Sequence, residues 1–249
     1  MTAAAASILF ALFVLAGLSW AYMAASGGVM PMSAGADLAG FVLFLTTWVV
    51  MMGAMMFPTV APVVLVYSRY TRRQTRWWSV RTTLFVTGYL VIWTAAGVVA
   101  WMIVMLLVPA LAAIPMVQAA PQLFLGAVLA AAGLYQLTPL KKACLGHCRS
   151  PMHWIFLGFR PGKRGALRMG LEEGVFCLGC CAGLMIVLLA VGLASVGWMA
   201  AVAAVIFIEK VIAPTAAVAK GVAILLLTLG IAVATIPAVA DFMLRGGPI

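Results

Sequence analysis

The chain has 249 residues, of which 66% are hydrophobic and only 8% are charged. Soluble domains carry about 25% charged residues, so this composition, with a mean hydropathy of +1.21, excludes a soluble globular fold. The charge is also asymmetric, with 15 Lys and Arg against 5 Asp and Glu. In a membrane protein such an excess indicates orientation, and we expect no nucleic-acid partner.

Seven apolar stretches predict an all-α, polytopic membrane bundle of about seven transmembrane helices, because a spanning helix needs about 20 apolar residues. No side-chain positive charge precedes Ile8, so we expect the first stretch to be an anchor and not a cleaved signal peptide. We predict a single transmembrane helical domain over residues 1–249 with a cytoplasmic loop near 141–172. The stretches lie near residues 5–25, 38–67, 82–107, 121–140, 173–194, 196–213 and 221–243.

The Lys and Arg residues fall almost entirely on one side of this arrangement. Five lie between spans two and three, seven between spans four and five, and two between spans six and seven. Only Arg245 lies on the other side. The positive-inside rule therefore predicts a bacterial inner-membrane protein with a cytoplasmic N-terminus and an external C-terminus. The lipid bilayer is the first expected partner, through contacts between the basic loops and anionic headgroups.

The second span contains four methionines just before a proline. They are Met51, Met52, Met55 and Met56, and Pro58 and Pro62 are expected to break or kink the helix. Thioethers bind Cu(I), so the four residues are a possible second metal site or path. Flexible Met side chains also fill irregular gaps beside a kink, which leaves core packing as the alternative.

All five cysteines are predicted at the cytoplasmic ends of spans four and five. Cys177, Cys180 and Cys181 are spaced i, i+3 and i+4, so they share one helix face, with Glu173 one turn earlier. Glu173 also suits the positive end of a helix that starts there, which is a purely structural role. Cytosolic thiols stay reduced, so a disulfide framework is not expected.

The connection after span four adds Cys144 and Cys148, which are i and i+4 if that segment is helical, and His147 next to them. Thiolates with an imidazole suit a soft transition metal, with copper favoured and zinc or iron possible. Cysteine also packs helices as a small apolar residue, and this remains the alternative. The candidate metal ligands are Cys144, Cys148, Cys177, Cys180, Cys181, His147 and Glu173.

Glu209 lies inside the apolar stretch that ends the sixth span. Ionisable residues within a membrane are usually functional or paired. Glu209 is therefore expected either to reach the cysteines or to pair with an Arg from another helix. Lys210 points about 100° away on a helix and is expected to snorkel to the surface.

Several segments of the chain carry a family resemblance. They are Trp48–Pro62 with its Met-Met-x-Ala-Met-Met-x-Pro core, Gly88-Tyr89-Leu90 with Trp93, Gly133–Lys141, Cys144, Cys148-Arg149-Ser150-Pro151, Cys177-Leu178-Gly179-Cys180-Cys181 with Leu184-Met185, Trp198-Met199 and Glu209-Lys210. Together they resemble the bacterial family of predicted metal-binding integral membrane proteins designated domain of unknown function 2182. The resemblance covers roughly residues 40–212, and position 176 is Phe where that family favours Tyr. It implies metal binding without naming the metal or the process.

The leading hypothesis is a membrane protein that binds a soft metal for its transport, delivery or insertion. A soluble metal carrier or a membrane complex would be its partner. The alternatives are a membrane thiol–disulfide relay and a non-catalytic assembly factor or accessory subunit. No phosphate loop, hydrolase elbow or dinucleotide fingerprint occurs, so no catalytic residue is assigned.

Overall fold

The computed structural model describes residues 3–26, 37–191, 195–212 and 216–244, and these residues form helices without any strand. The all-α prediction is therefore confirmed. Two π-helical turns, Ile103–Leu107 and Ile208–Ile212, continue the third and tenth helices. The α-helices are α1 Ala3–Ala25, α2 Leu38–Arg72, α3 Trp78–Met102, α4 Val108–Ala112, α5 Pro115–Ala119, α6 Pro121–Leu137, α7 Pro139–Arg149, α8 Pro151–Leu157, α9 Gly162–Val191, α10 Val196–Phe207, α11 Ala216–Thr235 and α12 Pro237–Leu244.

Within the described ranges, five helices are long and apolar enough to cross a membrane. They are α1, α2, the continuous segment Trp78–Ala112, α9 and α11. Helices α6 and α7 meet at an angle of 62° and make a sixth span if they act as one. Helix α10 and the π-helical turn after it coincide with the sixth predicted stretch. Together they are shorter than any of those five helices. The membrane class is thus supported, whereas the number seven stays a prediction.

The segment predicted as a cytoplasmic loop near 141–172 is largely helical. It forms α7, α8 and the first turns of α9. Pro139 and Pro151 open α7 and α8, where the fixed φ of proline suits the first helical turn. Helix α9 begins at Gly162, whose φ of +85° favours glycine. Hydropathy detects only the apolar part of α9, so the predicted span begins 11 residues after the helix itself begins.

Helices α3 and α9 approach each other backbone to backbone. A Cβ added to Gly170 would collide with the carbonyl oxygen of Phe85, and one added to Gly88 would collide with that of Leu167. Small residues allow this approach in membrane bundles. The contact sets the position of Tyr89, the neighbour of Gly88, against the middle of α9.

Helix α2 continues through Pro58 and Pro62, so the prolines do not break it. It packs against α1 and α3, and its four methionines are all buried at its centre. Thr59 donates a hydrogen bond to the Met56 carbonyl oxygen at 2.9 Å. The core of the bundle is therefore rich in thioether sulfur along α2.

Candidate metal centre

Helix α9 brings three thiols together in the interior of the bundle. Cys177, Cys180 and Cys181 are buried, and their sulfur atoms all lie within 4.8 Å of one another. The Sγ atoms of Cys180 and Cys181 are 3.5 Å apart. The Cys180 thiol also contacts the Cys177 carbonyl oxygen at 3.1 Å. The i, i+3, i+4 spacing produces this grouping because α9 is helical throughout.

Helix α7 adds a fourth sulfur. The Sγ of Cys148 lies 3.9 Å from the Sγ of Cys180. Cys144, one turn earlier, faces the backbone of Gly179, where an added Cβ would lie 2.7 Å from its Sγ. All five cysteines are free thiols in the structure. We call Cys148, Cys177, Cys180 and Cys181 the thiol cluster, and Cys144 lies beside it.

The sulfur spacing fits a metal ion. A metal–thiolate bond of about 2.3 Å places two sulfur ligands about 3.8–4.0 Å apart in tetrahedral or trigonal geometry. The distances of 3.5 Å and 3.9 Å from Cys180 to its two neighbours lie close to these values. Small side-chain shifts would therefore let the three thiols of α9 hold one ion, with Cys148 next to Cys180 as a further candidate ligand.

Lys210 contacts the thiol cluster directly, which the sequence reasoning missed. Its Nζ donates a hydrogen bond to the Sγ of Cys177 at 2.9 Å, and the Tyr89 Oη lies 3.1 Å from the same sulfur. The expectation that Lys210 snorkels to the surface is wrong, because its side chain is only 8% exposed. The π-helical turn Ile208–Ile212 changes the local geometry from that of an α-helix, and such turns often occur at functional sites.

Glu209 takes neither of the two predicted partners. Its carboxylate pairs with Lys141 of α7 at 2.7 Å, and both side chains are buried. Arg149 does contact Glu209, but its Nε and Nη2 donate to the backbone carbonyl oxygen at 2.9 Å and 2.6 Å. These contacts attach the π-helical turn to α7 and hold the adjacent Lys210 next to the thiol cluster.

His147 and Glu173 lie together beside Cys148. The His147 Nε2 is 3.6 Å from the Glu173 Oε2, and neither atom has a hydrogen-bond partner among the described residues. The imidazole stacks between Phe176 and Trp154, with ring centroids 3.8 Å and 4.6 Å apart. Glu173 lies well inside α9, so its predicted role at a helix start is wrong. The pair is available as additional ligands at the edge of the thiol cluster.

The four methionines of α2 form a separate feature. Met55 lines a cavity of about 250 Å³ between α1, α2 and α10, together with Trp20 and Phe207. No hydrogen bond in the described part of the chain joins these methionines to the cysteines. A second metal site or path at Met51, Met52, Met55 and Met56 therefore stays a prediction.

Comparison with known proteins identifies the family. Over residues 45–233, most of its length, the chain matches the family described as PpoB2, copper chaperone, and it belongs to that family. No curated protein and no solved structure matches the chain. The match supports a metal-related family, while the designation given in the sequence analysis stays a prediction.

Proposed function

We propose that this protein binds Cu(I) through the thiol cluster and delivers it to an acceptor protein at the membrane. The observation that carries the proposal is the convergence of four buried sulfur atoms from α7 and α9, with spacings of 3.5 Å and 3.9 Å around Cys180. A soluble metal carrier or a membrane complex would receive the ion.

Copper is favoured by the chemistry of the donors and by the family's description as copper chaperones. Thiolate ligands select soft ions such as Cu(I), whereas four thiolates in tetrahedral geometry also suit Zn(II) or iron–sulfur clusters. Any thiolate complex of Cu(I) with two or more sulfurs carries negative charge, which is costly in an apolar interior. The ammonium group of Lys210, 2.9 Å from Cys177, offsets this charge.

Metal analysis of the purified protein tests the proposal. The protein is purified in detergent under reducing, anaerobic conditions, loaded with Cu(I) and washed, and bound copper is measured per chain. We expect stoichiometric copper in the wild-type protein and a loss of most of it in C177S/C180S/C181S. A comparison variant, M51L/M52L/M55L/M56L, replaces the other sulfur-rich group and should retain the copper bound at the thiol cluster, whereas any additional copper that it loses would be bound at these methionines. Equal copper in the wild type and the triple Ser variant would exclude the thiol cluster as the binding site.

X-ray absorption on the loaded protein distinguishes the metals. A centre bound by sulfur alone is expected for Cu(I) in the thiol cluster, and nitrogen or oxygen neighbours would add His147 or Glu173. If the protein retains zinc in preference to copper from an equimolar mixture of the two ions, zinc takes the place of copper in the proposal.

A thiol–disulfide relay is the second candidate, since Cys148 and Cys180 come from different helices and their sulfurs are 3.9 Å apart. It predicts that mild oxidation of the metal-free protein joins these two cysteines, as a mass decrease of the peptide pair reveals. It also predicts that thiol–disulfide exchange by the protein proceeds without bound metal. The copper proposal predicts that loading the ion protects both thiols from oxidation.

A further inference from the structure

A groove lies between the end of α2 and helix α8, away from the thiol cluster. Its volume is about 850 Å³, within the range of about 300–1,000 Å³ typical of ligand sites. Helix α2 contributes Arg69, Tyr70 and Arg72, its C-cap residue Arg73 follows, and α8 contributes Met152 and Phe156. Guanidinium groups and apolar side chains thus line the same concave surface.

The three arginines are spaced i, i+3 and i+4, and Arg73, the C-cap of α2, keeps a helical backbone conformation, so all three share one side of the end of this helix. All three are exposed, and no ion pair joins them to a carboxylate in the part of the chain that the structure describes. Glu172 pairs with Arg160 at 3.0 Å and Arg168 at 3.5 Å, and not with these three arginines. The groove therefore carries a concentrated and uncompensated positive charge.

The apolar side of the groove is made of ordered rings and exposed side chains. Tyr70 packs edge-on against Phe156 and Phe159, with centroid distances of 5.0 Å and 4.7 Å. Met152 and Phe156 remain 61% and 54% exposed. Such a surface, next to the end of a membrane-spanning helix, suits a hydrocarbon chain.

We propose that this groove binds one anionic phospholipid. Its phosphate contacts the guanidinium groups of Arg69, Arg72 and Arg73, which bind phosphate in planar, bidentate geometry. Its acyl chain lies along Met152 and Phe156. Arginine is also favoured at the C-terminal end of any helix and on the cytoplasmic side of membranes, without a ligand. The groove between α2 and α8 is the separate observation that indicates a binding site, and it is independent of the copper site.

The test uses the full-length protein in a neutral detergent. Lipid retention is measured by native mass spectrometry after adding phosphatidylglycerol, phosphatidylcholine or inorganic phosphate. The variant R69Q/R72Q/R73Q removes the three charges from the groove. The matched control, K142Q/K163Q/R164Q, removes three exposed cations outside it. A further variant, F156A, keeps the charges and removes the aromatic wall.

We expect the wild type and the control to retain phosphatidylglycerol in preference to phosphatidylcholine, and the groove variant to lose about tenfold in retention. F156A should weaken binding of the lipid but not that of inorganic phosphate. An equal loss in the control would indicate diffuse surface attraction and overturn the proposal. Competition by inorganic phosphate at the same concentration as the lipid would also overturn it, as would a wild-type dimer that the groove variant converts to a monomer.

Discussion

Lys210 places a positive charge directly against the thiol cluster. Its ammonium group is buried and donates to Cys177 at 2.9 Å. A charge in this position is stable only with an anionic partner, since leaving a buried charge unpaired costs about 3–5 kcal/mol. A deprotonated cysteine of the thiol cluster would supply that partner, and so would the metal–thiolate complex of the proposed function. In that complex, Lys210 and the ion would neutralise the same sulfur atoms together.

Replacing Lys210 with Met should weaken copper binding. The apolar side chain keeps most of the volume but removes the positive charge, so we expect a loss of about tenfold or more in Cu(I) affinity, equivalent to about 1.4 kcal/mol or more. Competition with a colorimetric Cu(I) chelator measures this change.

Two further variants separate the effect of charge from that of packing. K210R retains the charge and should recover much of the affinity, whereas K142M, at an exposed lysine of α7, should bind copper as the wild type does. Unchanged affinity in K210M would show that Lys210 has no electrostatic role.

For single residues, the sequence predicted the grouping of the thiols but not the residues that contact them. Helical spacing alone groups Cys177, Cys180 and Cys181, because the periodicity of an α-helix depends only on local geometry. The partners of Lys210 and Glu209 could not be predicted in this way. They depend on the π-helical turn Ile208–Ile212 and on the packing of α7, and neither feature has a signature in the hydropathy pattern.

Among the helices, the pair α3 and α9 places Tyr89 at the thiol cluster. The backbones touch at Gly88 and Gly170, and this contact places Tyr89 at 3.1 Å from the Sγ of Cys177. A side chain at either glycine must push the helices apart. The thiol cluster and the helix contact are therefore coupled through Tyr89.

The substitution Gly170→Ala should separate α3 from α9 and lower stability by about 1–3 kcal/mol, the usual cost of overpacking. We expect a lower melting temperature in detergent and weaker copper retention. Gly221→Ala is the control, because a Cβ at that exposed position of α11 meets no atom within 4 Å. It should leave the melting temperature unchanged or raise it slightly through helix propensity. Equal melting temperatures for the two variants would contradict close packing of α3 on α9.

The limits of sequence prediction for helices are clearest between residues 141 and 172. Charged and polar residues there lowered the hydropathy, so the segment was predicted as a loop. The structure forms α7 and α8 because each begins with a proline at its first helical position, and Thr138 caps α7 by accepting from the Lys141 backbone N–H at 3.3 Å. Helix-start signals were therefore present, but hydropathy does not report them.

For the whole molecule, the charge pattern still predicts orientation, although some of its cations have internal roles: besides Arg149, which donates to the Glu209 carbonyl oxygen, two lysines are buried. Lys141 and Lys210 are buried and pair with Glu209 and Cys177. The other basic residues between the predicted spans remain available to report the cytoplasmic side, as the positive-inside rule requires.

Cysteine accessibility tests this orientation. In a cysteine-free protein, a single cysteine is introduced either at Met116, which is 75% exposed in α5, or at Gly146, which is exposed on α7. We expect a membrane-impermeant maleimide to label M116C in intact cells and G146C only after permeabilisation. The reverse pattern would invert the predicted topology.

Under the proposed function, the burial of the thiol cluster limits the rate at which copper moves. Cys177, Cys180 and Cys181 are each 2% exposed or less, so an acceptor's ligands could not reach an ion held there in this conformation. Ligand exchange then needs a local opening, and α7 is the element whose displacement removes Cys148 from the ion. Such openings occur over microseconds to seconds. The residence time of copper would follow the frequency of that opening as well as the strength of its bonds to sulfur, and an acceptor that favours the open form would shorten it.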